Sequence, residues 1–271
     1  MVDAQALVAD LRAEQEDFAA LLDGLDAADW ARPTPAPGWT IADQVAHLAF
    51  FDQSALTALT DADGFAKIVE AAVADPEGYV DTAAAPLAAL PPDTLLAEWR
   101  AASAALRSAL AAAPAGTRVP WFGPPMSVPS KATARLMETW AHGQDVVDAL
   151  GTTREPTERL RHIVHIALRA RPYSYFARGL PMPEAAVRVE LTSPDGGLWR
   201  MGPEEAREVV RGDAEQFCLV LTRRRHVADT SLTAHGPAAQ EWLRVGQTYA
   251  GGPGEGREPG QFSGRTGSGR D

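Results

Sequence analysis

Leu136-Met137-Glu138-Thr139-Trp140-Ala141-His142-Gly143-Gln144-Asp145-Val146 combines a helical apolar pattern with two side chains able to hold a metal. Glu138 and His142, at i and i+4, project from one face of a helix a single turn apart. Leu136, Met137, Val146 and Val147 set that pair near the buried face, where an unsatisfied carboxylate is costly. A metal ion would satisfy it, and so would an arginine partner. Ser130 or a neighbour is expected to cap this helix, and Gly151 to end it just past Leu150.

Upstream, Pro37-Gly38-Trp39-Thr40-Ile41-Ala42-Asp43-Gln44-Val45-Ala46-His47-Leu48 predicts a second helix, with Thr40 as its N-cap and Asp43 favouring its positive end. Val45, Leu48, Phe51, Leu56 and Leu59 form its apolar stripe, and His47 falls in its second turn. One imidazole from this helix added to Glu138 and His142 makes His₂Glu, a three-ligand set that leaves a coordination position open. Residues 3 to about 25 repeat Leu7, Leu11, Phe18, Leu21, Leu22 and Leu25 at helical spacing. Asp93 is expected to cap another long helix reaching about Ala113, with Leu95, Leu96, Trp99, Leu106 and Leu110 buried. Residues 63 to 75 read as a further helical segment, 76 to 91 as a Pro/Ala connection, and 114 to 129 as a Pro/Gly-rich loop. Four long helices within 150 residues predict a four-helix bundle, a common setting for metal sites built from facing helices.

Beyond the bundle the pattern changes. A helix over about 157 to 171 is expected to break at Pro172. Val187-Arg188-Val189-Glu190-Leu191 alternates as a strand, and Ser193-Pro194-Asp195-Gly196-Gly197 turns the chain into a second strand at 198 to 201. Helices follow over 214 to 223, opened by Asp213, and over 238 to 246. The expected organisation is a bundle over 1–152, a small α+β domain over 153–250, and a Gly/Pro/Arg-rich tail over 251–271 that is disordered or loosely docked.

Composition narrows the function classes. With 45% apolar and 23% charged residues, the chain has the profile of a soluble globular protein. A net charge of −11 gives a nucleic-acid partner no electrostatic support, and Arg223-Arg224-Arg225-His226 reads as a solvated helix end. Cys218 is the only cysteine, which excludes an internal disulfide and a cysteine-based metal cluster. Its apolar setting, Phe217-Cys218-Leu219-Val220-Leu221, predicts burial and not nucleophilic duty. The start Met1-Val2-Asp3-Ala4-Gln5 has no basic leader character, and no apolar run reaches the roughly 18 residues of a membrane helix. A soluble, cytoplasmic protein without nucleic-acid or membrane partners is the expectation; the sequence does not set an oligomeric state.

Several other groups bear on a site. Asp145, close after His142, either orients a ligand or has a helix-surface or capping role. Arg169, Arg171 and Arg178 flank Tyr173-Ser174-Tyr175-Phe176, and Arg171 and Arg178 are candidates for binding a carboxylate-bearing ligand or simply a solvated, arginine-rich helix end. His162 and His165 lack a third partner and read as a polar helix face. Trp39 and Trp140 bracket the proposed ligands and read as core, while Trp121-Phe122 is a candidate pocket wall.

Through Pro37-Gly38-Trp39-Thr40 leading to His47, Glu138-x-x-x-His142, Gly143-Gln144-Asp145 and the terminal Gly151, the chain resembles the DinB-like, mycothiol-dependent maleylpyruvate isomerase superfamily. Its ending Ala250-Gly251-Gly252-Pro253-Gly254-Glu255-Gly256-Arg257 resembles that of an actinobacterial metal-binding subgroup. The resemblance is stronger over 1 to about 150 than beyond. It implies a mainly α fold, a DinB-like four-helix bundle followed by a small α+β domain. It also implies a divalent metal on His47, Glu138 and His142. Zinc is usual in such a site, and nickel, cobalt or manganese also suit the donor set. Mycothiol is the implied co-substrate, and the implied activity is S-transfer to, or cis–trans isomerisation of, a small electrophile. The alternatives are a metal-dependent hydrolase and a non-catalytic metal- or ligand-binding module.

Overall fold

The computed structural model describes residues 4–262, and the chain divides into two compact units, Met1–Arg154 and Glu155–Asp271. The first unit is helical: α1 (Ala4–Leu22), a short α2 (Ala27–Trp30), α3 (Ile41–Thr60), α4 (Ala62–Ala74), α5 (Tyr79–Ala88), α6 (Pro92–Ala112) and α7 (Val128–Leu150). The long helices α1, α3, α6 and α7 form the four-helix bundle, with α3 against α6 and α7, and α1 against α6 and α7. Phe18, Leu22, Ile41, Val45, Leu95 and Trp99 meet in its core. Apolar residues at helical spacing produced these faces, and their burial is the main stabilising term.

The helix ends follow side-chain chemistry. Thr40 caps α3 in a capping box, accepting from the Asp43 N–H while Asp43 accepts from the Thr40 N–H at 2.8 Å. Ser127, three residues earlier than Ser130, caps α7, and Gly151 closes it with φ +66°. Helix α6 starts on Pro91 and Pro92, so Asp93 lies in its first turn instead of at the cap.

One element departs from the sequence reading of this unit. Helix α5 occupies the stretch expected as a Pro/Ala connection, with Pro86 inside its last turn. Packing against α3 and burial of Ala84 outweigh the single hydrogen bond that proline removes. Between α6 and α7 a two-stranded antiparallel ribbon, β1 (Arg118–Val119) and β2 (Met126–Ser127), holds out a six-residue loop bearing Trp121 and Phe122.

The second unit contains α8 (Leu160–Phe176), β3 (Val187–Thr192), β4 (Leu198–Met201), β5 (Glu208–Asp213), α9 (Ala214–Leu221), β6 (Thr233–His235) and α10 (Pro237–Val245). The sheet order is β4-β3-β5-β6, with β3 and β5 parallel and the outer pairs antiparallel. Mainly α with a small α+β part is therefore the observed fold class. Helix α8 runs through Pro172, where a break was expected. Beyond the proline, Ser174 and Tyr175 are buried, and the Ser174 hydroxyl donates to the Gln247 carbonyl at 3.1 Å. Strands β5 and β6 carry too little alternation to be read from sequence.

The arginine run is not a solvated helix end. Arg223, at φ +65°, donates to the Arg244 and Glu255 carbonyls, and Arg225 is buried with its guanidinium 3.9 Å from the Phe262 ring centroid. These interactions dock residues 251–262, for which disorder or loose docking was expected; residues 263–271 lie outside the described residues. Cys218 is buried, as expected. Among the described residues no helix is long and apolar enough to cross a membrane.

Candidate metal centre

Helices α3 and α7 bring together side chains far apart in sequence. One ligand atom each from His47, Glu138 and His142 lies within 4.8 Å of the others. His142 Nε2 is 3.3 Å from Glu138 Oε2, and the two imidazole centroids are 4.4 Å apart. His142 is buried, while His47 and Glu138 are half-buried.

The second nitrogen of His142 is held by Gln44, which the sequence reading did not single out. The fully buried Gln44 places Oε1 2.5 Å from His142 Nδ1, and its Nε2 donates to Thr34 Oγ1 at 2.9 Å. Thr34 in turn donates to the Trp39 carbonyl at 2.8 Å, so the loop before α3 orients an α7 ligand through one amide. An amide oxygen only accepts, so Nδ1 carries a proton and Nε2 directs its lone pair toward Glu138. Two acceptors 3.3 Å apart require a cation between them, either a proton or a metal ion. That separation matches the roughly 3.4 Å edge of a tetrahedron with zinc–nitrogen bonds of about 2.0–2.1 Å. The donor set fits a divalent metal.

The arginine alternative for Glu138 finds no support. Arg135, the nearest arginine on α7, donates to Asp52 Oδ1 at 2.8 Å and to the Leu48 carbonyl, and this pair is buried. Desolvation pushes the Asp52 carboxyl up, against the opposing pull of Arg135. Asp145 is fully buried, which rules out the helix-surface reading.

Aromatic rings wall the cluster. Trp39 flanks both imidazoles, its centroid 5.1 Å from His47 and 5.9 Å from His142, while its Nε1 donates to Asp81. It is thus a site residue as well as a packing residue, whereas Trp140 is core, with the Arg154 guanidinium 4.4 Å from its ring centroid. Phe51 touches His47 at 4.6 Å and leads to Trp121 and Phe122, which pack on Phe65. Trp121 and Phe122, expected as a pocket wall, pack here as a ring cluster against Phe51 and Phe65.

Lys131 was also missed. It lies on the same α7 face as Arg135, Glu138 and His142, fully buried, with Nζ 2.9 Å from the Trp121 ring centroid. Burial, reinforced by Arg135 and opposed by Glu138, lowers its pKa to about 6.

Arg171 and Arg178 belong to the second unit. Arg171 donates to the Ala185 carbonyl, and Arg178 to the Ser174 and Pro253 carbonyls and to Gln247 Oε1 at 2.7 Å. His162 is half-buried and His165 exposed on α8, without a third ligand among the described residues.

A DinB-like four-helix bundle with a convergent His₂Glu cluster defines the class. Within it, the chain belongs to the family described as the mycothiol maleylpyruvate isomerase N-terminal domain, which matches residues 11–147. Two relatives, each called an uncharacterized protein of Mycobacterium tuberculosis, come from strains CDC 1551 / Oshkosh and ATCC 25618 / H37Rv. Each is 51% identical over 257 residues, 95% of this chain and 100% of its own. The crystal structure of the mycothiol-dependent maleylpyruvate isomerase shares the fold, with TM-score 0.59 and 16% identity over 88% of this chain and 96% of that one. A histidine-to-alanine mutant of that isomerase aligns with TM-score 0.58 over the same shares.

Proposed function

We propose that this chain is a metal- and thiol-dependent enzyme, an S-transferase or cis–trans isomerase acting on a small electrophile in the cytoplasm, with mycothiol as the thiol. The convergence of His47, Glu138 and His142 within 4.8 Å carries the reading. These three residues would hold the metal, zinc or a neighbour such as nickel, cobalt or manganese. A divalent metal held there would lower the pKa of a bound thiol, so that a thiolate would be available at neutral pH.

The chain's own residues do the rest. Gln44 fixes the His142 tautomer and keeps Nε2 available as a ligand. Trp39 and Phe51 cover the imidazoles and exclude water from one side. Cys218, buried and donating weakly to the Leu160 carbonyl, is not needed as a nucleophile when the sulfur comes from a separate thiol. Membership of a family named for a mycothiol enzyme supports that choice of thiol. Arg171 and Arg178 stay assigned to thiol binding; loss of mycothiol affinity in Arg178→Ala would support that, and unchanged affinity would remove it.

The test is metal content in protein purified without chelator, for the native chain and His142→Ala. About one equivalent in the native chain and its loss in the variant is the expected result. Mycothiol-dependent consumption of an electrophile should disappear with it. A native chain that neither carries nor takes up metal refutes the reading, and turnover without added thiol would favour a hydrolase.

A further inference from the structure

Lys131 has no part in the function just described, yet its placement is costly. Its Nζ is buried and has no hydrogen-bond partner among the described residues. An uncompensated buried ammonium is among the most unfavourable groups a core can hold, and a methionine would fill the same space without that penalty. The bundle neutralises a buried cation where the role is structural, since Arg135, one turn further along α7, has Asp52 at 2.8 Å. Lys131 has no such carboxylate; Glu138, whose charge it feels, faces His142. What the amine does have is one aromatic face, Trp121, carried on the exposed-tipped loop between β1 and β2.

Two observations connect this amine to the metal centre. Lys131, Glu138 and His142 share one face of α7, and the seven residues from Lys131 to Glu138 span about 10 Å of helix axis. A continuous aromatic path also runs from His47 through Phe51 to Trp121, which covers the amine.

We propose that Lys131 reads substrate charge: its ammonium pairs with the carboxylate of a planar, conjugated electrophile whose body lies along Phe51, Trp121 and Phe122. The inference rests on the thiol-dependent reading above and adds to it the residue that selects the substrate by its charge. Trp121 covers the amine when no acid is bound and moves aside for the carboxylate. The arriving anion supplies the partner that the protein lacks, so the amine takes up a proton from solvent and a charge-assisted hydrogen bond forms.

The probe pair is trans-cinnamate and trans-cinnamamide, alike in shape and different in charge, titrated calorimetrically into the full chain. The native protein should bind the acid about ten- to a hundredfold more tightly than the amide, the range of a hydrogen bond to a charged group. Lys131→Met should lose that preference while keeping its affinity for the amide. Equal response to both probes in the native chain, absence of binding included, or a preference that survives in Lys131→Met, overturns the proposal. A second measurement needs no variant. The chain has only two lysines, so protein labelled at lysine ε-carbons gives two NMR signals. Cinnamate should move that of Lys131 and leave that of the exposed Lys67; an unmoved Lys131 signal overturns the proposal. Metal content of the same samples reports on the metal centre separately: protein that neither carries nor takes up metal and still prefers the acid through Lys131 would refute that reading and keep this one.

Discussion

Replacing Lys131 by methionine keeps an unbranched side chain of similar length and helical propensity, and removes the amine that sits over Trp121. The consequence is a specific change in how stability depends on pH. Burial lowers the Lys131 pKa from 10.5 to about 6. Between those values the unfolded chain binds this proton and the folded chain does not, so stability rises with pH. The destabilising effect is complete below about pH 6 and is relieved as pH climbs toward 10.5. From pH 7 to 9 the proton difference stays near one, which gives a slope of about 1.4 kcal/mol per pH unit from this residue alone. Lys131→Met lacks that slope. The variant should therefore be the more stable protein at pH 7, with its advantage shrinking by about 2.7 kcal/mol by pH 9. Urea unfolding of both proteins at pH 7, 8 and 9, followed by circular dichroism, measures the difference and cancels every group the two share. Parallel stability curves across that range would refute the buried neutral amine.

Three further outcomes follow from the geometry. Gln44→Ala should weaken metal affinity about ten- to a hundredfold by releasing His142 Nδ1, with the helical content unchanged. Competition with a chromophoric chelator measures it, and unchanged affinity would show that Gln44 does not orient the ligand. Asp52→Ala should cost about 3–5 kcal/mol, because it strands the buried Arg135 guanidinium, whereas replacing both partners by apolar residues should cost far less. Chemical denaturation of the two variants tests this, and equal losses would contradict it. His142→Ala should lose both bound metal and thiol-dependent turnover, as metal analysis and a mycothiol-coupled assay would register.

Local chemistry left clear marks in the sequence. The Thr40 cap, the Gly151 stop and the apolar stripes of the four bundle helices are set by residues within a few positions of one another. The Glu138/His142 pair was legible for the same reason, since four residues of helix fix its geometry. Where tertiary packing overrode local preference, the reading failed. Helix α5 forms around Pro86 because α3 offers it a surface, and α8 continues past Pro172 because Ser174 is held by Gln247, 73 residues away. Strands β5 and β6 depend on pairing with partners that no local alternation announces.

The sequence by itself therefore determined the helices of the bundle, their caps and the types of ligand on offer, because helical periodicity and capping are short-range. Only the tertiary structure decided what those ligands touch. Gln44 reaches His142 across 98 residues, Asp52 reaches Arg135 across 83, and Lys131 is closed under Trp121 by a loop that returns from the ribbon. Desolvation and hydrogen-bond partners are properties of the packed interior. No spacing along the chain encodes them, and they are what set the chemistry of this site.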